Sequence, residues 1–287
     1  MTVPSAEAWI AQCEVLTTAK GHRVAYRRAG QGRPVVMLHG FPTWSYDYVE
    51  VAADLERDHD VVTLDFLGYG ASDKPRRYRY SVAENADTVE QLMAELGLTT
   101  VDLVIHDYGS IVGQELLDRR RRGVLGFEIA SLTVFNGGIA FRTYRPTTLQ
   151  KLLKLPVLGG VIAGQITADR IRAALDDVRG TSKFTDEEFA EIWVGMSRDD
   201  GHKLAHLLIK YNDERAQHHE RWESAMSSYE GPMHLIWGPA DPVSGKHVLD
   251  QAVTTLPNPR VTELAGVGHF PMAEAPDRVI AALRSQI

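Results

Sequence analysis

The chain has 287 residues, 44% apolar and 24% charged, with a net charge of −7, a balance that fits a soluble globular protein and argues against nucleic acid or an anionic membrane as main partner. Cys13 is the lone cysteine, which excludes an internal disulfide and suits a reducing compartment. The start, Met1 to Glu7, lacks the basic and apolar segments of a signal peptide, and no apolar run approaches the ~20 residues of a membrane span, so a cytoplasmic protein is expected.

In chain order, Gly32-Arg33-Pro34 punctuates before Val35 to Leu38, an apolar run with the signature of a buried strand, which ends at His39-Gly40-Phe41-Pro42. About a dozen residues of helical pattern follow. Asp60 to Asp65 reads as the next strand, closed by a loop from Phe66 to Pro75. Ser81 and Glu84 have the spacing of a capping box. Val82, Val89, Leu92, Met93 and Leu96 then mark one helix face, and Gly97 stops the helix. Val101 to Ile105 reads as a strand buried on both faces. It gives way at Asp107 to a small-residue turn, Gly109-Ser110, and to a helix with Val112, Leu116 and Leu117 on one face. The basic run Arg119 to Arg122 falls at that helix's C-terminus, where cations suit the dipole.

Ala130 to Phe135 is a further strand. After it, from about Ile139 to Glu230, only helical segments are found: Thr147 to Leu155, Thr167 to Val178, one opened by a capping box at Thr185 and Glu188, and one carrying Leu204, Leu207, Leu208 and Tyr211 on a single stripe. Strand character returns at His234 to Trp237 and Arg260 to Leu264, with helices near Lys246 to Val253 and from Pro276. Alternating strands and helices with short loops imply a parallel sheet covered on both faces. The expected organisation is an α/β core in two parts, residues 1–138 and 231–287, with an all-helical insertion, 139–230, large enough to act as a lid.

Three residues past strand ends stand out. Taken alone, Asp107 reads as a helix N-cap and Asp241 and His269 as turn or surface groups. Together, in the order nucleophile, acid, histidine, each beyond the carboxyl end of a strand, they make a catalytic triad. A strand that turns sharply into a helix lifts the apex side chain above the sheet edge and points backbone N–H groups at developing negative charge. His39-Gly40-Phe41-Pro42 follows an early strand, so the Phe41 N–H can converge with that of Tyr108 as an oxyanion hole. His39, His106 and Trp44, which flank these loops, complete the set as substrate-binding candidates.

These motifs resemble the α/β-hydrolase superfamily along nearly the whole chain, and within it the epoxide hydrolase and haloalkane dehalogenase group, with its HGxP loop and H-D-x-G elbow. The likeness rests on Asp65-Phe66-Leu67-Gly68-Tyr69-Gly70, His106-Asp107-Tyr108-Gly109, Asn136-Gly137-Gly138-Ile139 and Asp241-Pro242-Val243. It implies a mostly parallel eight-stranded sheet with helices on both faces and a helical lid. It also implies His269 as the base that activates water and Asp241 as the acid that orients it.

The apex residue selects the chemistry. Attack by a carboxylate on an ester gives a more reactive mixed anhydride, whereas attack on an sp³ carbon gives a stable alkyl ester, so Asp107 suits epoxides or alkyl halides. Ser110 as a serine nucleophile is disfavoured, because Tyr108 and Val112 stand where G-x-S-x-G requires glycine. By the resemblance, dehalogenases place Trp after the nucleophile and often Asn in the HGxP loop; here Tyr108 and Phe41 stand there. Epoxide hydrolases use lid tyrosines as acids, and Tyr211, at the end of a lid helix, and Tyr144, early in the lid, are the candidates. Two departures from the group are Ile105, where epoxide hydrolases have Gly, and Asn136, which is not the acidic residue of one dehalogenase branch and so favours Asp241. The expectation is a cofactor-free and metal-free hydrolase acting on a small apolar epoxide, monomeric or homodimeric. The alternatives are a dehalogenase, another hydrolase of a small organic acid or lactone, or a binding protein on an inactivated frame.

Overall fold

A computed structural model describes residues 3–287; Met1 and Thr2, part of the N-terminal stretch read above, lie outside the described residues. Along the chain run α1 (Ala6–Ala11), β1 (Glu14–Thr17), β2 (Arg23–Ala29), β3 (Arg33–Leu38), α2 (Val49–Leu55), β4 (His59–Leu64), α3 (Val82–Leu96), β5 (Thr100–Ile105), α4 (Tyr108–Arg121) and β6 (Glu128–Phe135). Helices alone follow: α5 (Thr148–Leu153), α6 (Leu158–Gly164), α7 (Ala168–Val178), α8 (Asp186–Ser197), α9 (Ala205–Leu208) and α10 (Tyr211–Ser227). The chain then returns through β7 (Met233–Trp237), α11 (Lys246–Thr255), β8 (Arg260–Glu263), α12 (Pro271–Glu274) and α13 (Pro276–Arg284).

The strands form one eight-stranded sheet in the order β1-β2-β4-β3-β5-β6-β7-β8. It is antiparallel at β1-β2-β4 and parallel from there on. Central strands such as β5 and β7 are buried almost throughout, as strands covered on both faces must be, which is why they read as largely apolar runs, interrupted only by Asp102 in the one and His234 in the other beyond the first residue. The edge strands β1 and β8 are mostly exposed, and their Glu14, Arg260 and Glu263 discourage edge-to-edge pairing. Neighbouring strands end in register: Leu38 pairs with Ile105, Ile105 with Val134 and Phe135 with Ile236. The chain therefore leaves the sheet along one edge, and residues just past those ends become neighbours.

Helix starts follow the expected chemistry with two corrections. The Thr185–Glu188 capping box forms and opens α8, and Thr167 caps α7. Gly97 closes α3 at φ 68°, a left-handed position that costs glycine little. The Ser81–Glu84 box does not form. Glu84 instead takes Lys20 and Tyr78, and the Glu214 carboxylate from α10 accepts the Val82 N–H at 3.1 Å and the Ser81 hydroxyl at 3.2 Å. A tertiary carboxylate has replaced the local cap at the same positive helix end. Tyr211 is likewise not the last residue of the Leu204–Leu208 stripe. The chain turns after α9, and Tyr211 opens α10, the longest helix described.

Candidate active site

After β5 the chain reaches Asp107 at φ 45°, ψ −109°, and α4 begins at the next residue. A side-chain-bearing residue at positive φ is strained by about 1 kcal/mol or more. The neighbours impose it: the Asp107 N–H donates to Asn136 O at 3.0 Å, and the Gly109 N–H to His39 O at 2.9 Å. Gly109 admits no larger residue, since a Cβ there would lie 2.3 Å from Leu38 O. Although Asp107 sits at the N-cap position, its side chain makes no capping bond. One oxygen, Oδ1, accepts the Phe41 N–H at 2.8 Å, and the other, Oδ2, lies 3.4 Å from His269 Nε2.

His269 Nδ1 in turn donates to Asp241 Oδ2 at 2.7 Å. Asp241 is fixed by the Val243 N–H and the Ser244 hydroxyl, both at 2.7 Å, and by Asn136 Nδ2 at 3.1 Å. Asn136 also clasps the chain on both sides of Gly238, accepting its N–H and donating to its carbonyl. The residue that departs from the dehalogenase pattern is thus a brace for Asp241. Ser110 is buried with no hydrogen-bond partner in the described residues, beneath Gly137.

Charge in this cluster is set by burial acting against pairing. Burial opposes an ionised Asp241, but His269, Ser244 and Val243 outweigh it and bring its carboxyl down to about 2. Burial likewise opposes the Asp107 anion, yet His269, His106 and the Phe41 N–H hold its carboxyl below the ordinary range. His269 has an anion on each ring nitrogen, and these raise its pKa well above 6.5 despite burial. The pairing thus favours carboxylate, imidazolium and carboxylate over the neutral forms.

The three proposed substrate-binding residues do not reach a cavity wall. His39 donates from Nδ1 to Gly40 O and accepts the Phe66 N–H at Nε2, tying two loops together. His106 is kept neutral by burial, its pKa lowered to about 3, and Nε2 bonds His269 O at 2.8 Å. Trp44 donates to Ile192 O in α8 at 3.0 Å. All three are fully buried scaffold residues. The cavity beside the triad, about 60 Å³, is lined by His269, Phe41, Val243, Leu149, Leu153 and Ile171 among others, with Gln150 as a polar point.

Of the two tyrosines singled out in the helical insertion, Tyr144 donates to Gln150 Oε1 at 2.8 Å. The Tyr211 ring centroid lies 4.8 Å from that of Tyr108 and 6.2 Å from that of Phe41. Burial raises both phenols, the Asp107 charge raises them further, and Arg215 pulls them back. Tyr108 itself accepts from Asn85 at 2.7 Å.

Arg215 was not apparent in the sequence. Its side chain is 2% exposed and forms no ion pair among the described residues. It donates to Gly138 O at 2.7 Å and lies 4.6 Å from the Tyr144 ring centroid. Asn136 O accepts the Asp107 N–H and Gly138 O, two residues on, accepts from Arg215, so a buried cation with no ion pair among the described residues stands on this turn against the Tyr144 ring. Such a charge costs several kcal/mol unless nearby negative charge offsets it.

Asp47 is a second buried group with no sequence signal. It accepts the Thr43 hydroxyl at 2.5 Å, and burial raises its pKa to about 7. A carboxyl raised in the folded state favours folding fully below its unfolded pKa, and that advantage is lost as pH rises through the folded value. Asp47→Asn, which keeps an acceptor for Thr43, is therefore expected to raise the melting temperature at pH 8 and to leave it nearly unchanged at pH 4. The gain corresponds to about 1–2 kcal/mol, and thermal melts across pH 4–8 would measure it.

A model of the alpha/beta hydrolase family matches residues 35–282. The mesoderm-specific transcript homolog protein of Homo sapiens is 38% identical over 95% of this chain and 85% of its own length. The putative hydrolase LipZ of Mycobacterium tuberculosis is 34% identical, covering 96% of each. Among solved structures, the epoxide hydrolase CorEH superposes with a TM-score of 0.79 at 21% identity, covering 96% of this chain and 97% of that one.

Proposed function

Because the chain belongs to the alpha/beta hydrolase family, we propose that it opens an epoxide to a vicinal diol through an alkyl ester on Asp107, with residues 139–230 acting as the lid. The observation that carries this reading is the nucleophile itself, an already ionised carboxylate at the strained apex with Phe41 N–H on one oxygen and His269 near the other. Oδ2 attacks a ring carbon, the carbon–oxygen bond breaks, and the departing oxygen takes a proton from Tyr211 or Tyr144. Esterification removes one of the two anions that hold the His269 proton, so its basicity falls, the imidazolium passes that proton by way of solvent to the tyrosinate, and the neutral imidazole becomes available as a base. It takes a proton from water, hydroxide adds to the Asp107 carbonyl carbon, and the N–H groups of Phe41 and Tyr108 hold the oxyanion until the diol leaves. Collapse of the adduct passes the hydroxide's proton to the departing alkoxide oxygen and restores the Asp107 carboxylate, and His269 ends as the imidazolium it began as.

Single turnover in heavy-oxygen water tests the route. Label is expected in the Asp107 carboxylate, and a peptide without it overturns the ester mechanism. Diol from styrene oxide, without halide release from bromoalkanes, is the expected product pattern, because neither Phe41 nor Tyr108 offers a side-chain N–H to a halide.

Arg215 belongs to the same reading as the charge that makes a tyrosinate tolerable. Arg215→Met, similar in volume and uncharged, is expected to slow ester formation about 10²-fold while ester hydrolysis keeps its rate, with Arg215→Lys intermediate. Rapid-quench measurement of the two half-reactions separates them.

A further inference from the structure

The hairpin between α5 and α6 puts apolar side chains where a water-facing surface normally has none. Ten large aliphatic side chains are exposed among the described residues, and five of them fall between positions 152 and 161. These are Leu152, Leu155, Val157, Leu158 and Val161, with Val157 89% exposed at the tip. The tip is a tight turn closed by the Leu158 N–H on Pro156 O at 2.6 Å, with Val157 at φ 61°, ψ −54°. A β-branched residue rarely adopts that conformation, which is strained. Clustered exposed apolar groups mark interaction surfaces rather than ordinary scatter.

The charge around them reverses that of the whole molecule. Residues 139–172 hold Arg142, Arg145, Lys151, Lys154, Arg170 and Arg172 against Asp169 alone, within a chain of net charge −7. Lys154 pairs with Asp213 and Arg172 with Asp186. Arg142, Arg145, Lys151 and Arg170 are exposed and form no ion pair among the described residues. Exposed apolar side chains in a segment that also carries free cations suit an interface with anionic headgroups above and acyl chains below. A second copy of the chain fits poorly, because docking like on like would bring two basic rims together.

We propose that the α5–α6 hairpin docks the protein on an anionic phospholipid surface, with Val157 and Leu158 entering the acyl boundary. This departs from the expectation drawn from total charge, because binding at a bilayer is decided by the local patch. Among the described residues no helix is long and apolar enough to cross a membrane, so the contact is peripheral. It also bears on substrate supply. Leu149, Gln150 and Leu153 of the same helix α5 line the cavity with His269, so an apolar molecule dissolved in the bilayer would meet the cavity wall just behind the docking face. The docking itself does not depend on the proposed reaction.

Flotation of the full chain with vesicles tests it, using phosphatidylcholine alone and phosphatidylcholine mixed with phosphatidylglycerol. Binding is expected to the mixed vesicles, about tenfold weaker without the anionic lipid and weakened by high salt. Val157→Asp and Lys151→Glu are each expected to reduce binding about tenfold while leaving the melting temperature unchanged, since both side chains point to solvent. The proposal is overturned if the wild-type chain stays unbound on anionic vesicles, or if Val157→Asp binds like wild type. It is equally overturned if sedimentation shows a dimer that Val157→Asp dissociates, because a second copy would then cover the patch.

Discussion

Asp107→Ala is expected to lower turnover by about 10⁴-fold or more, whereas Ser110→Ala leaves it within about twofold. The pair is decisive because the two residues occupy the two positions from which a nucleophile could act on this turn. The Asp107 carboxylate is held between the Phe41 N–H and His269 Nε2. The Ser110 hydroxyl is fully buried without a partner and lies under Gly137, so it has neither a base nor a path to substrate. Alanine at φ 45° adds strain of about 1 kcal/mol, which a melting curve would register without loss of the fold. Retained activity in Asp107→Ala with loss in Ser110→Ala would reverse the assignment and make this a serine hydrolase.

His269→Gln should be almost as damaging to steady turnover, about 10⁴-fold, but through a different event. Glutamine can hold the Asp241 contact yet cannot take a proton from water, so ester formation proceeds once and the product stays attached. The expected result is a single burst of substrate loss, no released diol, and an intact-mass increase equal to one substrate. The added mass should map to the peptide containing Asp107. A variant that neither turns over nor gains mass would mean that His269 serves the first step, and the division of labour between the two half-reactions would be wrong.

The parallel strands and the meeting of Asp107, Asp241 and His269 were legible because both depend on local pattern. A strand buried on two faces has to be largely apolar, and the residues that follow its end are often functional or turn-forming. The hairpin β1–β2 was not legible, because Arg23, Arg27 and Arg28 interrupt it. Arg27 is buried where Glu56, Gln12 and the Trp9 ring receive it. Helix α10 was missed for a related reason: it buries Asn212 and Arg215 beside Tyr211 and Trp222, so no apolar stripe marks its inner face, and Tyr211 was read onto the preceding segment. His39, His106 and Trp44 show the limit of reasoning from adjacency. They flank the right loops, but consecutive side chains at a strand end point to opposite sides, and these three turn into the scaffold. Asn136 and Arg215 matter through what they touch from a distance, and no spacing encodes that.

The placement of His269, the proposed base, bears on how the protein would fail. Asp107 follows β5 in the middle of the sheet, while His269 follows β8, a four-residue border strand with mostly exposed side chains. Such margins fray before interiors do. Under mild heat or denaturant, water activation should therefore fail while nucleophilic attack persists, and the protein would inactivate itself by retaining its own first product. Its working lifetime would then be set by exposure to substrate as much as by temperature.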